Sequence, residues 1–130
     1  MAKYSVPEVN GGATMDFEIS LDYKNPILSE EAIRKISEEE INDFYEKTQN
    51  SYKQYELFFL LLNSFNAYLD DGKTTVAAKT AFLLSYYLYI ALTPIAYLDL
   101  ALHFIDEAIK LDARTEYNQI KRSIEEDLGR

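Results

Sequence analysis

The 130-residue chain has no cysteine, no tryptophan and one histidine, and it contains only three prolines and four glycines. Without cysteine it can form no disulfide, thiolate nucleophile or zinc–thiolate site, and it is compatible with a reducing compartment, so we predict a cytoplasmic protein. A single histidine leaves no second imidazole to share a metal ion. We therefore expect neither an enzyme nor a bound cofactor or metal.

Basic residues are also scarce. There are 13 Lys and Arg against 22 Asp and Glu, which gives a net charge of −9 at pH 7. Such a chain repels phosphate groups, so nucleic acids and membranes are disfavoured as partners. The partner that this charge favours is another protein with a basic surface.

The length predicts one domain, preceded by an N-terminal arm. We assign residues 1–28 to the arm and 29–130 to a single helical domain. Within the arm, 16–23 alternate between polar and apolar residues, which predicts a strand. Its apolar positions are Phe17, Ile19, Leu21 and Tyr23. Such a strand either lies on the helices of its own chain or pairs with the sheet edge of another chain.

Helix signals begin after Asn25-Pro26 and predict a short helix over 30–36. Ser37 and Glu40 have the spacing of a capping box, which predicts that a new helix starts at residue 38. Its apolar stripe runs at helical spacing to Leu69, with a break expected near 49–51 because an uninterrupted helix would exceed the diameter of a small domain. The stripe comprises Ile41, Phe44, Tyr45, Thr48, Tyr52, Tyr55, Phe59, Leu62, Phe65 and Leu69. From Leu57 to Leu62 the residues are apolar all round, so we expect other elements to surround this part of the helix.

The second half predicts three more helices. Gly72 ends the preceding helix as a left-handed residue. One helix follows over 76–92, started by Thr74 or Thr75. Thr93-Pro94 has the pattern of an N-cap followed by proline at the first helical position, which predicts the start of a new helix. This helix runs to about Leu111, and its predicted core face includes Ile95. Thr115 caps a last helix over 116–128.

These elements predict an all-α fold. Because the connections are short, we expect four to five antiparallel helices, arranged as a bundle or a short array of helical hairpins. The extended N-terminal arm precedes them.

Thr80–Leu98 is a run of nineteen uncharged residues and is long enough to span a membrane. Pro94 near its end, several hydroxyl side chains and the absence of flanking basic clusters favour two buried helices instead. Three of its tyrosines cannot all face one neighbouring helix. We therefore predict that the tyrosines of this run contact a partner, and that the 76–98 helix forms a homodimer. They are Tyr86, Tyr87, Tyr89 and Tyr97.

Acidic residues cluster early in the helix that starts at residue 38. The macrodipole favours them there, and they also offer a docking surface for a basic partner. The predicted contact residues are Glu38, Glu39, Asp43 and Glu46. A second group of ionisable side chains, Asp99, His103 and Glu107, is predicted to lie on one helix face. We interpret this face as solvated rather than metal-binding.

The stretch Leu88 to Ala113 resembles a single tetratricopeptide repeat. Ala101 falls on the small position of the second helix of the repeat, Ile105 on the bulky position and Ala108 on the second alanine. Tyr89 and Ala113 depart from the pattern, since the family has a small residue and a proline there. The resemblance implies antiparallel helical hairpins that bind a protein or peptide in a groove.

Together these features predict a non-catalytic protein–protein interaction module, such as an adaptor, a regulator or a small inhibitor, which uses an acidic surface and tyrosine-rich helices. Two alternatives stay open. One is an acidic protein that imitates nucleic acid and inhibits a basic protein. The other is a helical bundle that binds a small apolar ligand around Phe59, Leu62, Phe82 and Tyr86.

Overall fold

The computed structural model describes residues 27–129 and, before them, the backbone of two three-residue strands. The strands β1 (Lys3–Ser5) and β2 (Glu18–Ser20) pair antiparallel, with Tyr4 opposite Ile19. Strand β2 lies within the segment predicted to be a strand, and its partner is a segment of the same chain. The remainder of the predicted arm before residue 27 lies outside the described residues.

The predicted all-α fold is confirmed. The described part contains six α-helices rather than four or five, and all are joined by short connections. They are α1 (Glu30–Lys35), α2 (Glu38–Lys47), α3 (Ser51–Asp70), α4 (Thr74–Tyr86), α5 (Tyr97–Leu111) and α6 (Thr115–Asp127). A π-helical turn, Tyr87–Leu92, continues α4. Short connections make α3, α4, α5 and α6 consecutive antiparallel neighbours.

The predicted helix starts in the first half are confirmed by their caps. The Ser37 side chain accepts a hydrogen bond from the Glu40 backbone N–H, and the Glu40 carboxylate accepts one from the Ser37 backbone N–H. The predicted break between α2 and α3 is present, and the Asn50 side chain caps α3 by accepting from the Tyr52 N–H. Gly72, with a φ of 73°, lies just beyond the end of α3, as predicted.

Helix α4 is the centre of the bundle. It contacts α3 on one side and α5 on the other, and α1 also lies against it. Its Ser85 hydroxyl donates to the Ala101 carbonyl of α5 over 2.7 Å. Thr74–Leu92 is the one stretch in residues 27–129 with the length and hydropathy of a membrane span, and 72% of it is buried inside the bundle. The cover for this apolar surface therefore comes from the chain's own helices.

The prediction for Thr93-Pro94 was wrong. Thr93 adopts a left-handed conformation with a φ of 40° and closes the preceding π-helical turn, its N–H donating to the Leu88 carbonyl. Helix α5 starts only at Tyr97, after a second left-handed residue, Ala96, with a φ of 59°. Proline is compatible both with this turn and with the first position of a helix. The dipeptide alone therefore does not distinguish a turn from a helix N-terminus. As a consequence Ile95, predicted as core, is 94% exposed.

Two smaller predictions also change. The helix after Gly72 starts at Thr74, two residues early, and Lys73 precedes it without a side-chain cap. Thr115 is the first residue of α6 rather than its cap, and Arg114 precedes it. Neither difference moves the apolar face of its helix, because Val76 and Tyr117 are buried as expected.

Candidate functional site

Two of the four tyrosines predicted to contact a partner lie in the core. Tyr86 and Tyr87 are buried, and the Tyr87 hydroxyl donates to the Gln54 carbonyl of α3 over 2.7 Å. The Tyr86 hydroxyl accepts from the Asn42 side-chain amide over 2.6 Å. Burial raises the pKa of both phenols. These side chains hold helices together, so they do not form a surface for a partner.

The other two tyrosines are half-buried near the end of the bundle. The Tyr89 hydroxyl donates to the Asp127 carboxylate of α6 over 2.5 Å. Burial and this hydrogen bond raise the pKa of Tyr89 to about 12. Tyr97 lies in the first turn of α5. Tyr89 therefore connects the π-helical turn to α6 through this hydrogen bond.

Most of the 76–98 helix, through which we predict a homodimer, is buried within the chain, and the homodimer itself stays a prediction. Val76–Leu88 is buried except for Lys79, which is half-buried. The exposed large apolar side chains of this range are Ile90 and Ile95, both near its end. The sequence pattern identified an apolar helix that needs cover on several sides, but α1, α3 and α5 provide that cover within one chain.

The predicted acidic residues lie at the surface of α2. Glu38, Glu39 and Glu46 are exposed and Asp43 is half-buried. Glu39, Asp43 and Glu46 share the face opposite the buried Ile41. Within residues 27–129 none of the four carboxylates forms an ion pair. Their charge is therefore available to an approaching basic surface.

In the described residues, Asp99, His103 and Glu107 are not placed to form a metal site together. Asp99 and His103 are exposed, and the His103 ring lies edge-on against Phe104. Glu107 pairs with Lys110 over 2.9 Å. Among residues 27–129 no group of three or more acidic or histidine side chains is placed to hold a metal ion.

The residues considered for a small apolar ligand do not line one enclosed site. Phe59 lies at the surface, 60% exposed. Phe82 is buried and stacks on Tyr117 of α6, with ring centroids 4.9 Å apart. The space around Phe82 is therefore filled by side chains of the protein itself.

Helix α3 is apolar on two faces, and one of them is covered by the other helices within residues 27–129. The covered face contains Leu57, Leu61, Phe65 and Tyr68 among its buried residues. The other face forms what we call the outer stripe, which contains several apolar positions that the sequence pattern placed at helical spacing. The outer stripe consists of Tyr52, Tyr55, Phe59, Leu62, Asn66 and Leu69.

The outer stripe is the largest row of exposed apolar side chains in the described residues. Tyr52 is 73% exposed and Phe59 60%, with Tyr55 at 41% and Leu69 at 38%. Leu62 is half-buried between them. The sequence did not indicate this surface, because the segment 57–62 is apolar all round and we expected it to be surrounded, whereas Phe59 within it is exposed.

The positions that carry the tetratricopeptide resemblance are buried. Leu88, Ala101, Ile105 and Ala108 all belong to the core. The first helix of the repeat would contain the π-helical turn Tyr87–Leu92. The resemblance itself stays a prediction.

Comparisons of the chain with protein-family models, with curated proteins and with solved structures found no match. The candidate site therefore depends on geometry alone. Of the surfaces that the described residues offer, the outer stripe of α3 combines the most exposed apolar area with a regular arrangement.

Proposed function

We propose that this chain is a non-catalytic protein-interaction module, acting as an adaptor, a regulator or a small inhibitor, and that it meets its partner through the outer stripe of α3. The observation that carries this proposal is the exposure of Tyr52, Tyr55 and Phe59 on a helix whose opposite face is fully packed. Aromatic side chains dominate the energetics of protein interfaces, and an exposed apolar row of this size on a single domain is typical of a contact surface.

The acidic face of α2 supports a second part of the proposal. Glu39, Asp43 and Glu46 point away from the core without an ion pair in the described residues. Together with the net charge of −9, they would steer the protein toward a basic partner and raise the association rate at low salt. Steering charges contribute mainly to rate and selectivity, whereas buried aromatic rings contribute affinity.

The proposal is tested by affinity capture from native lysate with three forms of the chain, at low and at high salt. The forms are the natural chain, Phe59→Lys, and the control Ile95→Glu, which adds charge at an exposed apolar side chain away from α3. We expect Phe59→Lys to lose specifically bound proteins that Ile95→Glu retains. Equal capture by all three forms would overturn the assignment of the contact surface.

A second candidate function is an acidic decoy of nucleic acid. It is favoured by one observation, the row of carboxylates at one-turn spacing on α2. This function predicts that nucleic acid competes with the chain for its partner and that binding collapses as salt is added. A captured protein that nucleic acid does not displace would exclude it.

A further inference from the structure

We infer that the outer stripe of one chain packs against the outer stripe of a second copy of the same chain, with the two α3 helices antiparallel. This inference rests on the contact surface of the proposed function and not on steering by the carboxylates of α2, and it adds the identity and orientation of the molecule that occupies the outer stripe. Four properties of the stripe carry it: its spacing, the order of its side-chain sizes, the charges at its ends and its area.

The spacing of the stripe fits a partner helix. Its six positions follow one another at intervals of 3, 4, 3, 4 and 3 residues, from Tyr52 to Leu69. This is the 3.5-residue repeat of a coiled-coil seam, which keeps a row of side chains facing a second helix. Ordinary burial against a globular core requires a wider apolar face instead. Helix α3 has that wider face on its other side, where the core lies.

The order of side-chain sizes selects the antiparallel orientation. The first three positions of the stripe are the aromatic Tyr52, Tyr55 and Phe59, and the last three are the smaller Leu62, Asn66 and Leu69. A parallel pair would place aromatic rings against aromatic rings at one end and small side chains together at the other. An antiparallel pair places one ring and one smaller residue in every layer, so the two helices stay at a constant distance.

The matching of individual layers supports the same orientation. In the antiparallel pair Phe59 meets Leu62 at the centre, and Tyr52 meets Leu69 at each end. Between them Tyr55 meets Asn66, so the polar amide is opposite a phenol hydroxyl with which it can form a hydrogen bond. A stripe whose halves complement each other in this way is what a twofold interface requires, since each residue contacts its counterpart reciprocally.

The charges at the ends of α3 also favour an antiparallel copy. The first turn of α3 contains no acidic residue and its last turn no basic residue, which is the opposite of what the macrodipole favours. Asp70 and Asp71 lie at the end of α3, whereas its first turn contains no carboxylate. In the antiparallel pair the two aspartates of one copy approach the positive N-terminal end of the other. A parallel pair would bring four aspartates together.

The area of the stripe indicates a dimer that dissociates on dilution. With about 150–250 Å² for each aromatic side chain, the exposed fractions amount to roughly 400 Å² per copy. Two copies and their flanking residues then reach about 1,000 Å², which is the lower end of specific interfaces. Each copy has a net charge of −9, so added salt should strengthen the dimer by screening the repulsion between copies.

The first experiment is sedimentation equilibrium of the full chain over a concentration series at low and high salt. We expect a monomer–dimer equilibrium that shifts toward the dimer as salt is added. Phe59→Lys should weaken the dimer at least about tenfold, because it places two cations near the centre of the seam. The control Ile95→Glu should shift this equilibrium far less, and circular dichroism should show that both variants stay folded.

The second experiment tests the orientation and exploits the absence of cysteine from the chain. In the antiparallel pair, residues 52 of the two copies are about 25 Å apart along the axis, at the helical rise of 1.5 Å per residue. Tyr52→Cys alone and Leu69→Cys alone should therefore form no disulfide dimer, since a disulfide needs neighbouring Cα atoms. An equal mixture of the two should form a mixed disulfide dimer. Efficient oxidation of each variant by itself would overturn the antiparallel arrangement.

The outcomes separate this inference from the function on which it rests. A chain that stays monomeric at all concentrations and salts overturns the dimer. If Phe59→Lys nevertheless loses a captured protein that Ile95→Glu retains, the outer stripe binds a different protein and the proposed function stands. If Phe59→Lys changes neither the mass in solution nor the captured proteins, both proposals fail.

Discussion

The hydroxyl of Tyr87, in the π-helical turn that continues α4, donates a hydrogen bond to the backbone carbonyl of Gln54 in the first turns of α3, 2.7 Å away. The Gln54 side-chain amide in turn donates to the Thr48 carbonyl over 2.7 Å, at the corner between α2 and α3. The buried phenol thus connects the π-helical turn to α3, and the Gln54 side chain connects α3 to the end of α2. This relationship explains why a residue that the sequence pattern assigned to a partner surface is fully enclosed.

Removal of this hydroxyl should destabilise the protein. Tyr87→Phe removes a part-buried hydrogen bond to the Gln54 carbonyl, so we expect the free energy of unfolding to fall by about 1 kcal/mol. Urea denaturation followed by circular dichroism measures the change. The matched control is Tyr52→Phe, at a side chain that is 73% exposed, where we expect a change within about 0.5 kcal/mol. Equal effects of the two variants would contradict the structural role of Tyr87.

Loss of the capping box should weaken α2. Ser37→Ala removes the oxygen that accepts from the Glu40 N–H, so we expect the free energy of unfolding to fall by about 1 kcal/mol. The control is Ser123→Ala in the exposed part of α6, where no cap is lost and the expected change is within about 0.5 kcal/mol. Denaturation midpoints that shift equally in both variants would be evidence against the cap.

Two isoleucines that a helical pattern assigned to one face should behave oppositely. Ile105 is fully buried on α5, so Ile105→Ala should lower the free energy of unfolding by about 2–5 kcal/mol. Ile95 is 94% exposed in the turn before α5, so Ile95→Ala should change it by at most about 0.5 kcal/mol. Thermal denaturation of the pair measures both changes. A large loss of stability in Ile95→Ala would place that side chain in the core.

Stability should fall at alkaline pH because of buried phenols. Burial raises the pKa of Tyr117 to about 12, so the folded protein holds this proton more tightly than the unfolded chain, in which the pKa is about 10. The stabilisation is therefore fully present below about pH 10 and is lost as the pH rises from about 10 to about 12. Burial and Asp127 shift Tyr89 in the same direction, so its contribution has the same sign.

The variant Tyr117→Phe isolates one contribution to this pH dependence. It keeps the ring that stacks on Phe82 and removes the ionisable group. We expect the variant to lose less stability than the natural chain between about pH 10 and about pH 12. Urea denaturation at a series of pH values tests this. Parallel losses in the two proteins would show that Tyr117 does not titrate in the folded state as proposed.

The helical elements could be predicted because their signals are local. Ser37, Glu40 and Gly72 act through hydrogen bonds and backbone conformations within a few residues, and these act in the same way in almost any surroundings. The periodic apolar stripes are also local, and they led correctly to an all-α fold. The prediction at Thr93-Pro94 was wrong because the same dipeptide suits both a helix start and a turn. Only the packing of α5 against α4 selects the turn.

Which apolar face is covered could not be read from the sequence. The outer stripe of α3 and the row with Tyr86 and Tyr87 look alike as patterns of aromatic residues, and the pattern suggested the second as a partner surface. In the folded chain the row with Tyr86 and Tyr87 is buried and most of the outer stripe is exposed, because α4 contacts both α3 and α5 whereas, among residues 27–129, α3 packs mainly against α4.

The amino-acid sequence by itself determined most of the helices, the cap at Ser37 and the helix end at Gly72, the acidic charge and the absence of thiol chemistry. The tertiary structure decided which aromatic residues form the core, which of them remain at the surface, and that Ile95 lies in a turn. The physical reason is that hydrogen-bonded helices depend on contacts between near neighbours in the chain. Burial depends on which helices become neighbours in space, and short connections between apolar helices allow more than one such arrangement until packing selects it.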